Sequence, residues 1–510
     1  MSYDEILPHL SHGKFGKYQK RVYILLCFPN ISTAFHILSG ISILAIPDHR
    51  CKLDGELSNS SFHLPADVWN SSFPFDKEKK AYSKCEYFIS DSNESVKCSE
   101  FIWDSSIVKS SAVKSFSLVC DENVLKAAGD SMVMLGILIG SYIFGELSDK
   151  YGRRPILLFS LLIQVVFGFL TALSPEFISF AICRVIVGGS TIGVSLVSYC
   201  SCLEMVGKQY RPHAGTVIMM FFSLGYILLG LLAYFIHDWR WLQVALTLPG
   251  ILFLSYWWII PESTRWLLAN NQKEKAIAQI EKIARVNNLK VPRRLLEKLE
   301  AEPETFDSGK KHSVFDLFKT PNLRTKSILI FYNWFAISAC YYGLSWGSGS
   351  LVGNQILNFI LSGLVEIPAY YFLILTLNRW GRKLIMSGSM ICAGAVLLLS
   401  LFIPETWTWL VLTLSMLGKM SITASFGTVY LFSTEQFPTV IRNAALGACS
   451  MSARIGGISA PFVIHLSQSW KPAPFVIFGV TAFVGGVFST FLPETRNREL
   501  PETLDDAERI

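Results

Sequence analysis

Four ionisable side chains stand inside long apolar runs of this 510-residue sequence: Arg184, Glu366, Lys419 and Arg454. Charge placed in hydrocarbon is costly, so such residues face a bundle interior and mark a solute pathway. Their chemistry is charge recognition. A carboxylate such as Glu366 holds an ammonium group, and a guanidinium such as Arg454 forks onto a carboxylate through two parallel N–H donors. Aromatic faces strengthen the first of these, because a desolvated ring attracts a cation. Trp334 and Tyr341 are seven residues apart and share one face of a helix, and Tyr370 follows the Glu366-Ile-Pro368 break. For Arg184 and Lys419 a buried pair that orders helices is an equal reading, and Arg454 has a structural alternative in an ion pair with Glu366 or Asp130.

The elements that must position these residues are membrane helices. Charged residues make 16% of the chain against about 25% in a soluble domain, and hydrophobic ones make 51%. That balance excludes a soluble globular protein, a disordered chain and a nucleic-acid binder. A bilayer-crossing helix needs about 20 apolar residues, and the apolar runs number twelve. The expected fold is an all-α membrane protein with twelve transmembrane helices in two pseudo-symmetric six-helix bundles. Residues 1–21 form a polar N-terminus, 22–46 the first span, 47–126 a long loop and 127–260 spans two to six. Residues 261–326 form a polar connection with an amphipathic helix over Lys273–Val286, 327–492 hold spans seven to twelve, and 493–510 form the C-terminus. The first run is too long for a signal peptide and lacks a small-residue cleavage site, so it stays as a helix.

Orientation follows from the basic residues. Lys14, Lys17, Lys20 and Arg21 precede the first span, Lys150, Arg153 and Arg154 follow the second, Lys208 and Arg211 the fourth, and Arg379, Arg382 and Lys383 the eighth. All of these fall on one side, which the positive-inside bias makes the cytoplasm, with both termini inside. The long first loop is then extracellular. It carries Cys51, Cys85, Cys98 and Cys120 and the N-x-S/T acceptors Asn59, Asn70 and Asn93, as a disulfide-bearing glycosylated loop of the secretory pathway should, with three pairings open. The remaining cysteines lie in or beside apolar runs and read as packing residues.

The two halves repeat. Asp149-Lys-Tyr-Gly152-Arg153-Arg154 returns as Asn378-Arg-Trp-Gly381-Arg382-Lys383, Glu204 with Arg211 as Glu435 with Arg442, and Pro261-Glu262-Ser263 as Pro493-Glu494-Thr495, each about 230 residues later. Such parallel repeats place a substrate site between two halves that rock about it. Asp149 at a helix end can pair with arginines or face a helix N-terminus. Glu204 with Arg211, and Glu435 with Arg442, have the composition for ion pairs between the halves that form in one state and break in the other.

The segment Gly145-Glu-Leu-Ser-Asp149-Lys-Tyr-Gly152-Arg153-Arg154 resembles the loop 2–3 signature of the major facilitator superfamily. Trp239-Arg240-Trp241-Leu242-Gln243, Pro261-Glu262-Ser263-Thr264-Arg265-Trp266 and Glu435-Gln-Phe-Pro438-Thr-Val-Ile-Arg442-Asn443 narrow it. With the glycosylated first loop they resemble the organic cation, carnitine and organic anion transporters, solute carrier family 22, over essentially the whole chain. The resemblance implies a gating role for Asp149 and Arg153, with Asn378 in place of the acid in the second copy. It also places Trp334, Tyr341 and Glu366 where cation transporters line their cavity. Arg454 stands where the cation branch has an acid and the anion and carnitine branches an arginine, and Tyr370 stands where the anion branch tends to put a lysine.

The expected function is therefore secondary transport of small organic cations or carnitine-like zwitterions across the plasma membrane by alternating access. An organic anion exchanger of the same family and a transport-inactive receptor on the same fold are the alternatives. An enzyme is not expected: the chain has no H-E-x-x-H, no metal-spaced Cys/His cluster, and at Gly418-Lys419 a failed phosphate loop, with Thr413 and Met420 at two of its required positions. The expected partners are a small charged solute, the lipid bilayer and a coupled or exchanged ion. No cofactor, metal or nucleic acid is expected.

Overall fold

The computed structural model describes residues 7, 10, 15–53, 55–57, 60–76, 81–89, 94–106, 108–207, 210–289, 291–292, 314–348, 354–404, 406–438, 441–496 and 508. Lys14, Asn59, Asn93 and Lys208 lie outside these residues, as do 293–313 of the central connection.

The apolar runs fold as helices because a chain in lipid must satisfy its backbone polar groups within each segment. In the first half these are α1 Lys17–Ile43, α2 Asn123–Tyr151, α3 Arg153–Leu173, α4 Phe177–Glu204, α5 Arg211–Phe235 and α6 Trp239–Leu254. The second half has α7 Pro321–Gly347, α8 in two pieces Gln355–Leu364 and Glu366–Trp380, α9 Arg382–Leu399, α10 Thr408–Gln436, α11 Arg442–His465 and α12 Ala473–Thr490. Among the described residues, eleven helices are long and apolar enough to cross a membrane. The twelfth, α11, is diluted by Arg454 and its serines and glycines, yet it packs into the bundle against α7 and α2. The halves repeat in packing as they do in sequence: α1 lies on α5 as α7 lies on α11, and α3 lies on α6 as α9 lies on α12.

The repeated motifs build the same corner twice. Gly152 (φ 108°) and Gly381 (φ 93°) turn the chain between α2 and α3 and between α8 and α9, in a backbone region that only glycine adopts without strain. The first N–H groups of the following helix have no partner inside it. Glu262 accepts from Arg153 N at 2.9 Å and Arg154 N at 3.2 Å, while Glu494 accepts from Arg382 N at 3.0 Å and Lys383 N at 3.1 Å. Burial pushes the Glu262 carboxyl above the usual carboxylate range, against the pull of these N–H groups. A Cβ at Gly152 would stand 2.4 Å from Glu262 Oε2, and one at Gly381 2.5 Å from Glu494 Oε2. Gly152→Ala is expected to lower stability by about 1–3 kcal/mol through strain and displacement of that cap. Thermal unfolding in detergent checks this, and a wild-type melting temperature would refute the corner's role.

The helix Lys273–Val286 buries Ala276, Ile280, Ile283 and Ala284 against the first half, together with Leu7, Leu10 and Val206. Asn287 fixes its end, donating to Leu10 O at 2.7 Å and accepting from Tyr18 N at 2.9 Å. At the other end of the bundle the described residues of the long loop form three two-stranded antiparallel ladders, the first joining His49–Cys51 to Phe101–Trp103. Of the open pairings, the structure takes Cys51–Cys98 and Cys85–Cys120. Within the loop the fully buried Arg50 guanidinium bonds both oxygens of Glu56 at 2.7 and 2.9 Å and the carbonyls of Cys51, Ser61 and Phe62. Asn70 is exposed on this loop.

Candidate functional site: a charged and aromatic cluster between the halves

Helix α8 breaks at Val365, and Glu366 opens its second piece. Pro368, lacking an N–H, cannot bond back to the turn before it, which favours the interruption there. The break aims the Glu366 carboxylate into the bundle, fully buried. Its Oε1 accepts from the Tyr341 hydroxyl at 2.7 Å and faces Lys419 Nζ at 3.0 Å. Its Oε2 accepts from Ser223 Oγ of α5 at 2.5 Å. Since α5 belongs to the first half, Glu366 bonds to both halves at once.

Lys419 of α10 is 1% exposed. Its ammonium also reaches Ser345 Oγ at 2.5 Å and Tyr341 O at 3.3 Å. It lies 3.3 Å from the Tyr341 ring centroid and 5.6 Å from that of Tyr226 on α5. Tyr226 donates to Ser362 Oγ of α8 at 3.0 Å.

The remaining expected residues line the same cluster. Trp334 sits edge-on to Tyr430 at 4.5 Å and donates Nε1–H to Ser433 Oγ at 2.8 Å. Tyr370 is 3% exposed and packs with Leu373 and Ala424, with Met219 and Met220 of the first half against them. Arg454 on α11 is 6% exposed; no described carboxylate pairs with it, and its Nε has no hydrogen-bond partner. Tyr342 interacts with both Arg454 and Glu366, and its ring is edge-on to Tyr341 at 5.2 Å. The acid bonds one tyrosine of the pair and the guanidinium interacts with the other.

The structural alternatives for Arg454 are not taken. Glu366 pairs with Lys419, while Asp130 faces Arg184 at 3.6 Å and Lys126 at 3.5 Å. Arg184 therefore belongs to a helix-ordering pair in the first half, away from Glu366. The sequence does not single out Ser223, Tyr226, Tyr342 and Tyr430, nor the serines that bond the cluster, Ser345, Ser362 and Ser433. Ser223 and Tyr226 carried a signal, since polar atoms three residues apart in an apolar run share a face.

The halves touch through α2 with α11 and α5 with α8. Ser131 Oγ donates to Ile458 O at 3.0 Å and Asn123 to Gln468 Oε1 at 2.6 Å, near the long-loop end. At the basic end the motif charges pair inside each half. Arg153 bonds Asp149 and meets Glu204 at 3.0 Å, and Arg382 meets Glu435 at 3.1 Å. Arg442 donates Nε–H to Phe437 O at 3.3 Å with the Glu435 charge nearby, and Arg211 opens α5. The ion pairs drawn by Glu204 and Glu435 are thus with the loop arginines of their own half, in equivalent positions.

The sugar (and other) transporter family profile matches residues 69–505. The organic cation transporter protein of Drosophila melanogaster is 48% identical, with 100% of this chain and 95% of that one covered. Human solute carrier family 22 member 2 is 36% identical, covering 99% and 95%. Among solved structures, the inward open conformation of the xylose transporter XylE from E. coli superposes with a TM-score of 0.65 at 16% identity, covering 96% of this chain and 99% of that one.

Proposed function

The chain belongs to solute carrier family 22, the organic cation, carnitine and organic anion transporters of the major facilitator superfamily, and on that footing we propose that its solute is a small zwitterion of the carnitine type. Membership makes the protein a membrane-embedded secondary transporter of the organic cation class and not an enzyme. The observation that carries the finer reading is Arg454, buried with no described acid paired to it and interacting with Tyr342, whose neighbour Tyr341 bonds Glu366. A guanidinium in that state favours a solute carboxylate strongly, because a buried charge left unpaired is costly. The carboxylate of Glu366 and the face of Tyr341 serve the solute's ammonium group. Simple organic cations are weaker solutes in this reading.

A second reading has one observation behind it. Lys419 neutralises Glu366, so with Arg454 the cluster holds one net positive charge, which suits an organic anion. Uptake of labelled carnitine, tetraethylammonium and an aromatic organic anion by expressing cells separates the readings. The zwitterion reading requires saturable carnitine uptake above the other two. Repeating the assay without sodium and with depolarisation identifies the driving force: a monocation gains about 2.3 kcal/mol per 100 mV, whereas a zwitterion gains none and needs exchange or a coupled ion. No uptake of any probe, with the protein at the surface, would establish a transport-inactive receptor instead.

In the membrane the basic end faces the cytoplasm with both termini, and the disulfide-bonded loop faces outward at the plasma membrane. The solute enters from one side, the halves rock about Glu366, and the contacts of Ser223 and Tyr226 with the second half break and re-form. The basic corners act in that rocking, with Asp149 holding Arg153 in the first. Asp149→Asn is expected to slow initial uptake several-fold at unchanged surface expression; as an exposed pair it contributes under about 1 kcal/mol to stability, so melting should not move. Equal uptake rates would remove Asp149 from the gate.

A further inference from the structure

We propose that the Lys419 ammonium is a tethered occupant of the seat that a solute's ammonium group must enter, and that its displacement makes the transporter select zwitterions over simple cations. The inference rests on the transport reading of this cavity and adds the residue that sets its charge preference.

The argument is one of counted donors and charges. An ammonium group has three N–H donors and no acceptor. Lys419 finds three acceptors, Glu366 Oε1 at 3.0 Å, Ser345 Oγ at 2.5 Å and Tyr341 O at 3.3 Å, with its charge over the Tyr341 ring at 3.3 Å and Tyr226 at 5.6 Å. The acid and the ring faces are what a cationic solute needs, with or without N–H donors of its own, and the protein's own side chain already fills them. Tyr226 and Ser223 reach this seat from the first half, so it lies where the halves separate.

A solute cation that takes the seat leaves Lys419 without its carboxylate. Among the described residues, the charged group besides Glu366 that interacts with Tyr342 and Tyr430 is Arg454, also positive. A monocation therefore adds a third positive charge to a cluster holding one acid. A zwitterion replaces what it takes: its ammonium group meets Glu366, and its carboxylate meets the displaced Lys419 together with Arg454. Lys419 on the flexible four-carbon stem can make that swing; a guanidinium held by a planar fork would not re-pair so readily.

The tests use the purified full-length protein in detergent. In binding titrations the wild type should prefer carnitine to its methyl ester, a pure cation of nearly the same shape, by about tenfold or more. Lys419→Met and Lys419→Gln should each tighten tetraethylammonium and the ester by about tenfold and so narrow that preference, Arg454 still receiving the carboxylate. A wild type that binds the ester as well as the acid overturns the proposal, as does a folded variant with unchanged or weaker cation affinity. A further arm needs no solute: n-propylammonium should raise the melting temperature of Lys419→Ala saturably by several degrees and leave the wild type where it is. Equal shifts in the two proteins, or none in either, would show that the seat does not take a free ammonium. Failure of every wild-type titration while propylammonium still rescues Lys419→Ala would sink the transport reading and leave the seat.

Discussion

Glu366→Gln is expected to reduce uptake of every cationic and zwitterionic probe by about a hundredfold, the largest functional loss in the molecule. Two effects act together. The substitution removes the negative charge that an incoming ammonium group must meet, an attraction that low local dielectric strengthens whether or not the solute carries N–H donors. It also leaves Lys419, 1% exposed, as a buried charge without its partner, and breaking a buried pair from one side costs about 3–5 kcal/mol. Thermal unfolding separates the two. Glu366→Gln should melt well below the wild type, and the double variant with Lys419→Met should recover most of that stability, because removing both charges leaves neither unpaired. Uptake should stay lost in the double variant. A Glu366→Gln protein that is stable and transports normally would show that the acid orders helices and touches no solute.

Arg454→Gln carries the second large effect, and it is selective. Uptake of carnitine should fall by about 10- to 100-fold, the range that loss of a charge-assisted carboxylate contact gives. Tetraethylammonium uptake should hold or rise, since one repelling charge has gone. Stability should behave in the opposite sense from Glu366→Gln. No described acid pairs with Arg454 and its Nε is unbonded, so removing the guanidinium relieves a desolvation cost and should not lower the melting temperature. Parallel loss of the zwitterion and the pure cation, at equal surface expression, would show that Arg454 does not anchor a carboxylate.

Much of this protein was legible in one dimension, because lipid imposes a one-dimensional rule. Each crossing must be an apolar stretch that meets its backbone hydrogen bonds largely by helix, so composition places the spans, and repetition of Gly152-Arg153 as Gly381-Arg382 exposes two halves. Buried charges announce themselves for the same reason: Arg184, Glu366, Lys419 and Arg454 stand out because hydrocarbon does not tolerate them casually. Which charge meets which was not legible. Ion pairing is decided within about 4 Å, and such distances follow from how helices far apart in sequence cross and rotate against one another. Glu366 could be matched on paper with Arg454 as well as with Lys419, and Glu204 with Arg211 as well as with Arg153; the packing of α7, α8 and α10 settles the first, and the corner built by Gly152 and Glu262 settles the second. Four cysteines close together in sequence fit three connectivities equally, and only the ladder from His49–Cys51 to Phe101–Trp103 brings Cys51 beside Cys98. The spacing of Ser223 and Tyr226 puts them on one face of an apolar helix but does not say what that face meets. Their place on the acid that joins the halves exists only once α5 lies against α8, where an unmet hydroxyl would be costly and Glu366 and Ser362 supply the acceptors.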